Sequence, residues 1–249
     1  MVVIKSSSEI ERMRGAGRVV REVLELVRGL VKPGATTLDL ERAAEAKLNE
    51  LGAKPAFKGY HGFPACLCTS VNSEVVHGIP SAKRVLKEGD IVSIDCGAVI
   101  DGYYGDAAIT VPVGERIDPT TARLLEVTEK SLKSAISMVK PGATLGDVGA
   151  AVQRMVEAEG FSVVRDFVGH GIGVHMHEDP QVPNFGEPGR GMKLKAGMVI
   201  AIEPMVNVGT PDVQVLGDGW TAVTGDGSMS AHFEHTVAVT PTGARILTE

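Results

Sequence analysis

The chain has 249 residues, 43% of them hydrophobic and 22% charged, a composition typical of a folded globular protein and not of a disordered or fibrous one. A formal net charge of -6, without a dense run of Lys and Arg, argues against general nucleic-acid binding. Three cysteines are too few for a disulfide framework, and neither a long apolar run nor a signal-like start is present. We therefore expect a cytoplasmic protein without a membrane segment.

The first two predicted elements are helices. Ser8 and Glu11 make a capping-box pattern before an amphipathic run that is expected to end at Pro33-Gly34. A second helix is predicted to start at Thr37 and to have Gly52 at its C-terminal cap. Two later helices are predicted over residues 118 or 120 to 139 and over residues 145–158.

An internal repeat relates the two halves of the chain. Residues 32–36 and 86–89 resemble residues 140–144 and 194–197, in both cases at an offset of 108. Two apolar, strand-like segments align at the same offset, and each is followed by a carboxylate, Asp95 in the first half and Glu203 in the second. We infer two related α/β halves within one domain spanning residues 1–249, with these two carboxylates facing a shared centre.

A β-hairpin is predicted around Asp101-Gly102, which lies between two apolar, β-branched segments. A two-residue loop there places Asp95 opposite Ala108. It also places Asp106 opposite Gly97, so the two carboxylates share one face as diagonal neighbours about 7 to 8 Å apart. Two solvated acids beside a turn are the alternative, but the apolar strand before Asp95 favours a buried cation held by both.

Two further acids and a histidine-rich segment complete the candidate metal ligands. Glu203 follows an apolar strand, and Glu234 lies in a late β-branched strand, where it is either inward and partnered or an outward edge charge. Residues 169–177 combine histidines with glycines that allow a ligand to approach closely. Strand alternation would put His175 and His177 on one face, so periodicity does not choose between them. Four carboxylates and at least one imidazole suit two divalent ions.

Aromatic residues cluster in a loop-like segment that contains Phe57, Tyr60 and Phe63. They are either ordinary core or the wall of an apolar pocket, because the residues between them have loop composition. Cys66 and Cys68 lack a second ligand pair. We therefore interpret them as structural or pocket-lining residues and not as a zinc site.

Several motifs together resemble one enzyme family over essentially the whole chain. They are His77-Gly-Ile-Pro80, Asp95 with Asp106, Gly169-His-Gly-Ile-Gly173 followed by His177, Ile202-Glu-Pro-Met205 and Glu234-His-Thr236. This set resembles the type 1 methionine aminopeptidases of the M24 metallopeptidase family. Glu203 and Glu234 are 31 positions apart, which is too short a span for the helical insertion of type 2 enzymes, and no zinc-finger extension precedes the motifs, which indicates the short bacterial-like form.

The resemblance implies an α/β (α+β) pita-bread fold, in which two pseudo-symmetric halves have an antiparallel sheet inside and helices outside. It implies a dinuclear site with the ligands Asp95, Asp106, His170, Glu203 and Glu234, in which Asp106 and Glu234 touch both metals. Glu203 would also move a proton, His77 would contact the scissile amide nitrogen, and His177 would stabilise the oxyanion. Two divalent metal ions are expected, and the candidate elements are Co, Mn, Fe, Ni and Zn.

The resemblance also implies where substrate binds. The residues expected at the substrate are Phe57, Tyr60, Phe63, Cys68, His77, Met176, His177 and Trp220. Phe57 and Met176 stand where relatives often carry Cys and Phe. Asn72 and Ser230 match positions that help to hold a monovalent cation.

The implied function is removal of the initiator methionine from nascent proteins with a small second residue, by attack of a metal-activated hydroxide on the scissile carbonyl. We expect a cytoplasmic monomer that acts on N-terminal Met peptides, with the ribosome as a further partner and no nucleic-acid or membrane site. Two alternatives remain. An Xaa-Pro peptidase of the same fold would carry an additional N-terminal domain for which the chain has no room, and a catalytically dead peptide-binding module would lack the metal ligands.

Overall fold

The computed structural model describes residues 2–249 and contains four α-helices, one 3-10 turn and fifteen strands within that range. The helices are α1 Ser7–Arg28, α2 Thr37–Glu50, α3 Pro119–Ser137 and α4 Leu145–Ala158, and the 3-10 turn is Tyr60–Gly62. The strands are β1 Lys54–Pro55, β2 Leu67–Val71, β3 Glu74–Val76, β4 Ile91–Ile100, β5 Tyr103–Pro112, β6 Ser162–Val163, β7 Gly169–Gly171, β8 Glu178–Val182, β9 Val199–Ile202, β10 Met205–Asn207, β11 Val213–Val215, β12 Ala222–Thr224, β13 Ser230–His232, β14 Glu234–Thr240 and β15 Gly243–Ile246.

A nine-stranded sheet with antiparallel pairing runs through both halves of the molecule. Its order is β1-β4-β5-β14-β9-β7-β8, with β2 added beside β4 and β15 beside β14. Strands β5 and β14 join the halves through only two register pairs, Glu234 with Ala108 and His235 with Ala107. A carboxylate from the second half therefore lies directly beside the hairpin of the first half.

Each half has its own hydrophobic core between helices and sheet. Apolar side chains of α1 and α2 pack with those of β2, β4 and β5, and those of α3 and α4 pack with β9 and β14. The fold is therefore the predicted mixture of helices and antiparallel strands, with both halves built in the same way. Among residues 2–249, no helix combines the length and apolarity needed to cross a bilayer.

The second, third and fourth helices lie close to where the sequence predicts them, whereas the capping box of the first was misplaced. The box is formed by Ser6 and Glu9, two residues before the predicted pair, because the Glu9 N–H donates to the Ser6 hydroxyl and the Ser6 N–H donates to the Glu9 carboxylate. The helix also ends earlier than predicted, at Arg28 with Gly29 as its cap. The three consecutive serines offered alternative caps that the pattern did not distinguish.

Segments that are 108 residues apart make the same local contacts. Thr36 and Thr144 each cap a helix of 14 residues through the same capping box. The Gly34 N–H donates to the Leu86 carbonyl at 2.8 Å, and the Gly142 N–H donates to the Leu194 carbonyl at 2.9 Å. These matching contacts are the structural counterpart of the sequence repeat, while the assignment of residues 1–249 to one catalytic domain remains a prediction.

The predicted hairpin register is confirmed. Asp95 pairs with Ala108, and Gly97 pairs with Asp106. Asp101 has a φ of 50° and Gly102 a φ of 79°, the left-handed pair that a tight two-residue hairpin turn requires. Asp95 lies in the middle of β4, since the strand continues to Ile100, and not at a strand end.

Candidate active site

A cavity of about 280 Å³ brings together most of the residues selected from the sequence. Its polar floor consists of Asp95, Asp106, His170, Glu203 and Glu234. Its apolar wall consists of Phe57, Tyr60, Phe63, Cys68, Met176 and Trp220, and three histidines, His61, His77 and His177, also line it. An apolar cavity with a few convergent polar groups has the form of a small-molecule or peptide-end site.

Strand register positions the carboxylates on the floor. Asp95 and Asp106 project from the paired strands β4 and β5, and Glu234 enters from β14, where it pairs with Ala108. The Thr236 hydroxyl donates to the Asp106 carbonyl at 2.7 Å and accepts from its N–H at 3.1 Å, so the junction between the halves is fixed at this point. Three acids from three neighbouring strands therefore face one volume.

An imidazole and a fourth carboxylate approach from the second half. The Nε2 atom of His170, on β7, lies 3.7 Å from Asp106 Oδ2 and 3.6 Å from Glu203 Oε1. His170 Nδ1 lies 2.9 Å from the Gly171 carbonyl, which can only accept, so Nδ1 carries the proton and Nε2 presents its lone pair to the carboxylates. Asn184 holds Glu203 by donating to its backbone carbonyl at 3.0 Å.

The floor is electrostatically unfavourable without a cation. Burial, together with neighbouring carboxylates, raises the pKa of Asp95, Glu203 and Glu234 well above the ordinary range, and burial raises the pKa of Asp106 to about 8. One oxygen each of Asp95, Asp106 and Glu234 is buried without a hydrogen-bond partner. Buried oxygens in this state are expensive unless they are protonated or coordinated.

The donor set fits a divalent metal ion. Asp106, His170 and Glu234 each offer a ligand atom, and these three atoms lie within 4.8 Å of one another. Carboxylate oxygens with one imidazole nitrogen are ligands that suit borderline or hard divalent cations. Glu234 is 2% exposed, so the outward edge charge considered from the sequence is excluded.

Two further histidines, His77 and His177, line the same cavity. His77 has a φ of 61°, a left-handed conformation that is uncommon for a non-glycine residue, and burial lowers its pKa to about 4. His177 is exposed at the cavity mouth, where its Nδ1 lies 2.7 Å from the Tyr60 hydroxyl and its ring centroid lies 4.2 Å from that of His170. Although part of the ring is exposed, its desolvation within the cavity, followed by its proximity to the His170 imidazole, lowers the pKa of His177 to about 4. Both imidazoles are therefore neutral near pH 7.

The expectation that His175 and His177 alternate along a strand was wrong. Strand β7 ends at Gly171 and β8 begins at Glu178, so the intervening residues form a turn. The cause is a side chain: Glu178 accepts the N–H groups of Val174 and His175, at 2.9 and 3.1 Å, which removes them from strand pairing. His175 is exposed and absent from the cavity lining, whereas His177 lines it.

Asn72 and Ser230 lie next to each other outside the cavity. The Ser230 N–H donates to the Asn72 carbonyl at 2.9 Å. The Asn72 side chain bridges Asp90 and the N–H of Ile91, at 2.8 and 3.0 Å. Their pairing is compatible with a shared cation position, while their role remains a prediction.

One further histidine at the floor was not selected from the sequence. His232 is 1% exposed, its Nε2 has no hydrogen-bond partner among the described residues, and this atom lies 3.9 Å from Glu203 Oε2. Burial, followed by the proximity of the His77 imidazole, lowers the pKa of His232 to about 3. Two-residue alternation from Glu234 was the signal that could have identified it.

Comparisons with known proteins agree with this geometry. Residues 11–241 match Metallopeptidase family M24. The mixed fold, the buried acid and imidazole group and this match together define a metallopeptidase of that family.

Comparison with individual relatives narrows the assignment within this family. A methionine aminopeptidase of Clostridium acetobutylicum is 54% identical over 248 residues, which cover 100% of this chain and 99% of the relative. The crystal structure of a methionine aminopeptidase from Thermotoga maritima superposes with a TM-score of 0.98 at 53% identity over 100% of both chains. A prolidase from Pyrococcus horikoshii OT3 has a TM-score of 0.80 at 25% identity, and the match covers 64% of that chain. The chain belongs to the methionine aminopeptidases of family M24 and has the expected pita-bread fold.

Proposed function

We propose that this chain is a type 1 metallo-aminopeptidase that removes the initiator methionine from nascent proteins. The observation that carries the proposal is a single cavity in which a floor of carboxylates and an imidazole adjoins an apolar wall. A floor of this kind supports hydrolysis, and a wall of this kind supports binding of an unbranched apolar side chain.

Two divalent ions are proposed to be held by Asp95, Asp106, His170, Glu203 and Glu234. The partnerless oxygens of three of these acids support the assignment, because cations would satisfy them and offset the mutual repulsion. Asp106 and Glu234 would contribute to both ion positions, as the family resemblance implies, and the grouping of their ligand atoms with that of His170 supports one of these positions. When bound, the ions, drawn from Co, Mn, Fe, Ni and Zn, supply Lewis-acid activation of water and of the scissile carbonyl.

Side chains of the protein supply the proton transfers and orientation. The Glu203 carboxylate is proposed to take the proton of the attacking water and to deliver it to the leaving amine. His177 is proposed to donate a hydrogen bond to the developing oxyanion: with Tyr60 donating to Nδ1, the proton of the neutral ring resides on Nε2. His77 is proposed to contact the scissile amide nitrogen.

The apolar wall is proposed to bind the methionine side chain. The Phe63 ring stacks edge-on against Trp220 with centroids 5.1 Å apart, and Cys68 and Met176 are buried in the same cluster. Thioether and aromatic groups in such a wall suit a flexible, sulfur-containing chain.

The remaining assignments concern the cellular setting. We propose a cytoplasmic monomer that acts on N-terminal Met peptides with a small second residue, with the ribosome as a further partner. Asn72 and Ser230 are proposed to help hold a monovalent cation. The contact between the Ser230 N–H and the Asn72 carbonyl supports a common location for the two.

The experiment that tests the function compares two peptides. Purified protein is incubated with Mn or Co and either Met-Ala-Ser or Ala-Pro-Phe, and free amino acids are measured. Release of methionine alone is expected. Release of alanine would instead favour an Xaa-Pro peptidase, and release of neither would favour a non-catalytic peptide-binding module.

A further inference from the structure

A buried ion pair lies directly behind the turn that carries His177. The Nζ atom of Lys5 lies 2.6 Å from Glu178 Oε2, and the two side chains are only 4% and 6% exposed. Lys5 precedes α1, and its backbone N–H donates to the Gly197 carbonyl at 2.8 Å. The pair therefore ties the start of the described chain to the second half of the molecule.

The second carboxylate oxygen of Glu178 holds the turn over residues 173–177. Glu178 Oε1 accepts the N–H groups of Val174 and His175, which have no strand partner. Lys5 and the turn thus use different oxygens of one carboxylate. Although burial would raise the pKa of Glu178, the Lys5 ammonium and the two N–H groups outweigh it, and the pKa is lowered.

The space around this ion pair is closely filled. A side-chain carbon on Gly173 would lie 2.6 Å from both Glu178 Oε1 and Lys5 Cε, so any larger residue there would displace the ion pair. From the other side, the Tyr104 N–H on β5 donates to the Gly173 carbonyl at 2.9 Å. Close packing on one side and a strand hydrogen bond on the other leave the turn little freedom to shift.

We propose that Lys5 and Glu178 are positioning residues that hold the turn over residues 173–177, and with it the His177 imidazole, at the cavity mouth. Neither residue lines the cavity, so both act through the turn. The catalytic consequence rests on the proposed function, whereas the effect on the turn does not. A displacement of a catalytic group by about 1 Å can lower a rate by about 10²-fold.

The test compares two double variants that both remove the buried charges. In Lys5→Met/Glu178→Gln, the glutamine carbonyl can still accept the two turn N–H groups. In Lys5→Met/Glu178→Met, a side chain of similar length has no acceptor. Loss of the ion pair is common to both, so any difference between them reports on the turn. The surface ion pair of half-buried Lys47 and exposed Glu50 provides a control, with Lys47→Met/Glu50→Gln expected to behave as wild type.

Hydrogen exchange at the amides of Val174 and His175 is measured first, because it does not depend on activity. We expect exchange at these two amides to be about tenfold faster in Lys5→Met/Glu178→Met (the Met/Met variant) than in Lys5→Met/Glu178→Gln (the Met/Gln variant). Only the Met/Met variant lacks an acceptor for them, so the difference should be confined to these amides. On Met-Ala-Ser, kcat should fall by about 10- to 100-fold in the former and by about three- to tenfold in the latter, which keeps the acceptor but loses the Lys5 ammonium that holds it in place. The melting temperatures of the two should be similar.

Equal exchange and equal kcat in the two double variants would overturn the role of Glu178, and a Met/Gln variant that matches wild type in both would overturn the role of Lys5. If the Met/Met variant does not fold, Lys5→Met and Lys5→Arg replace it: faster turn exchange in Lys5→Met alone supports the proposal, and unchanged exchange contradicts it. Wild-type protein that releases no methionine would refute the proposed function, and the exchange comparison would still decide the role of the pair.

Discussion

The floor of the active site and the turn beside it are built by different means. Asp95 and Asp106 lie on a hairpin whose register follows from two loop residues and from the alternation of side chains. His177 lies in a turn whose shape is set by Glu178 and, through it, by Lys5, more than 170 positions away in the chain. Local pattern is therefore sufficient for the two hairpin carboxylates of the floor, whereas the orientation of the histidine depends on long-range contacts.

Glu203→Gln tests the floor residue that is proposed to transfer a proton. The amide cannot accept a proton, so kcat should fall by about 10²- to 10⁴-fold, the range for loss of a general acid or base. Measuring metal content alongside steady-state rates separates this effect from loss of metal. A Gln variant that retained both metal and wild-type kcat would remove Glu203 from proton transfer.

Replacing His175 and His177 individually tests the turn over residues 173–177. His177→Ala should lower kcat by about 10²- to 10³-fold, the usual loss for one oxyanion donor, with metal content unchanged. His175→Ala should stay within a few-fold of wild type, because His175 is exposed and outside the cavity. The reverse pattern, with His175 critical and His177 dispensable, would refute the assignment of the turn.

Trp220→Ala tests the apolar wall, which belongs to neither floor nor turn. Loss of the ring that packs against Phe63 should reduce the preference for methionine over smaller first residues by roughly tenfold in kcat/KM. Competition between Met-Ala-Ser and Ala-Ala-Ser measures this directly. Unaltered selectivity would place Trp220 outside the pocket.

The pH dependence of stability in metal-free protein should reveal how unfavourable it is to ionise the buried carboxyls of the floor. The floor carboxyls have raised pKa values in the folded state, so the folded state binds more protons than the unfolded one, and stability is lost as pH rises toward about 8. The depressed histidine pKa values act in the opposite direction, but only below about pH 6.5. Between pH 7 and 8, the free energy of unfolding should therefore fall by about 1 kcal/mol or more.

Denaturant melts of metal-free protein at pH 7 and pH 8 measure this change, and added Mn should reverse it. Asp106→Asn provides the control, because it removes one of the titrating carboxyls and should flatten the dependence. A stability that rose over this interval would contradict the description of the floor as crowded, uncompensated carboxylates.

Much of the fold was predictable because its signals are local. The Asp101-Gly102 turn fixed ten register pairs at once, and Thr36 and Thr144 start helices whose boundaries follow from their caps. The turn over residues 173–177 was not predictable, since a strand-like alternation of side chains is overridden there by the Glu178 carboxylate. His232 was missed for a different reason: alternation from Glu234 places it on the same face, but its proximity to Glu203 accompanies the long-range pairing of β10 with β13.

Calorimetric titration of metal into wild-type protein and Asp106→Asn tests most directly whether the strand-built floor is a dinuclear centre. Wild type is expected to bind two divalent ions per chain, and Asp106→Asn is expected to weaken both binding events together, because the Asp106 carboxylate is proposed to touch both ions. Tight binding of two ions by Asp106→Asn, unchanged from wild type, would contradict the bridging role and with it the proposed arrangement of the floor.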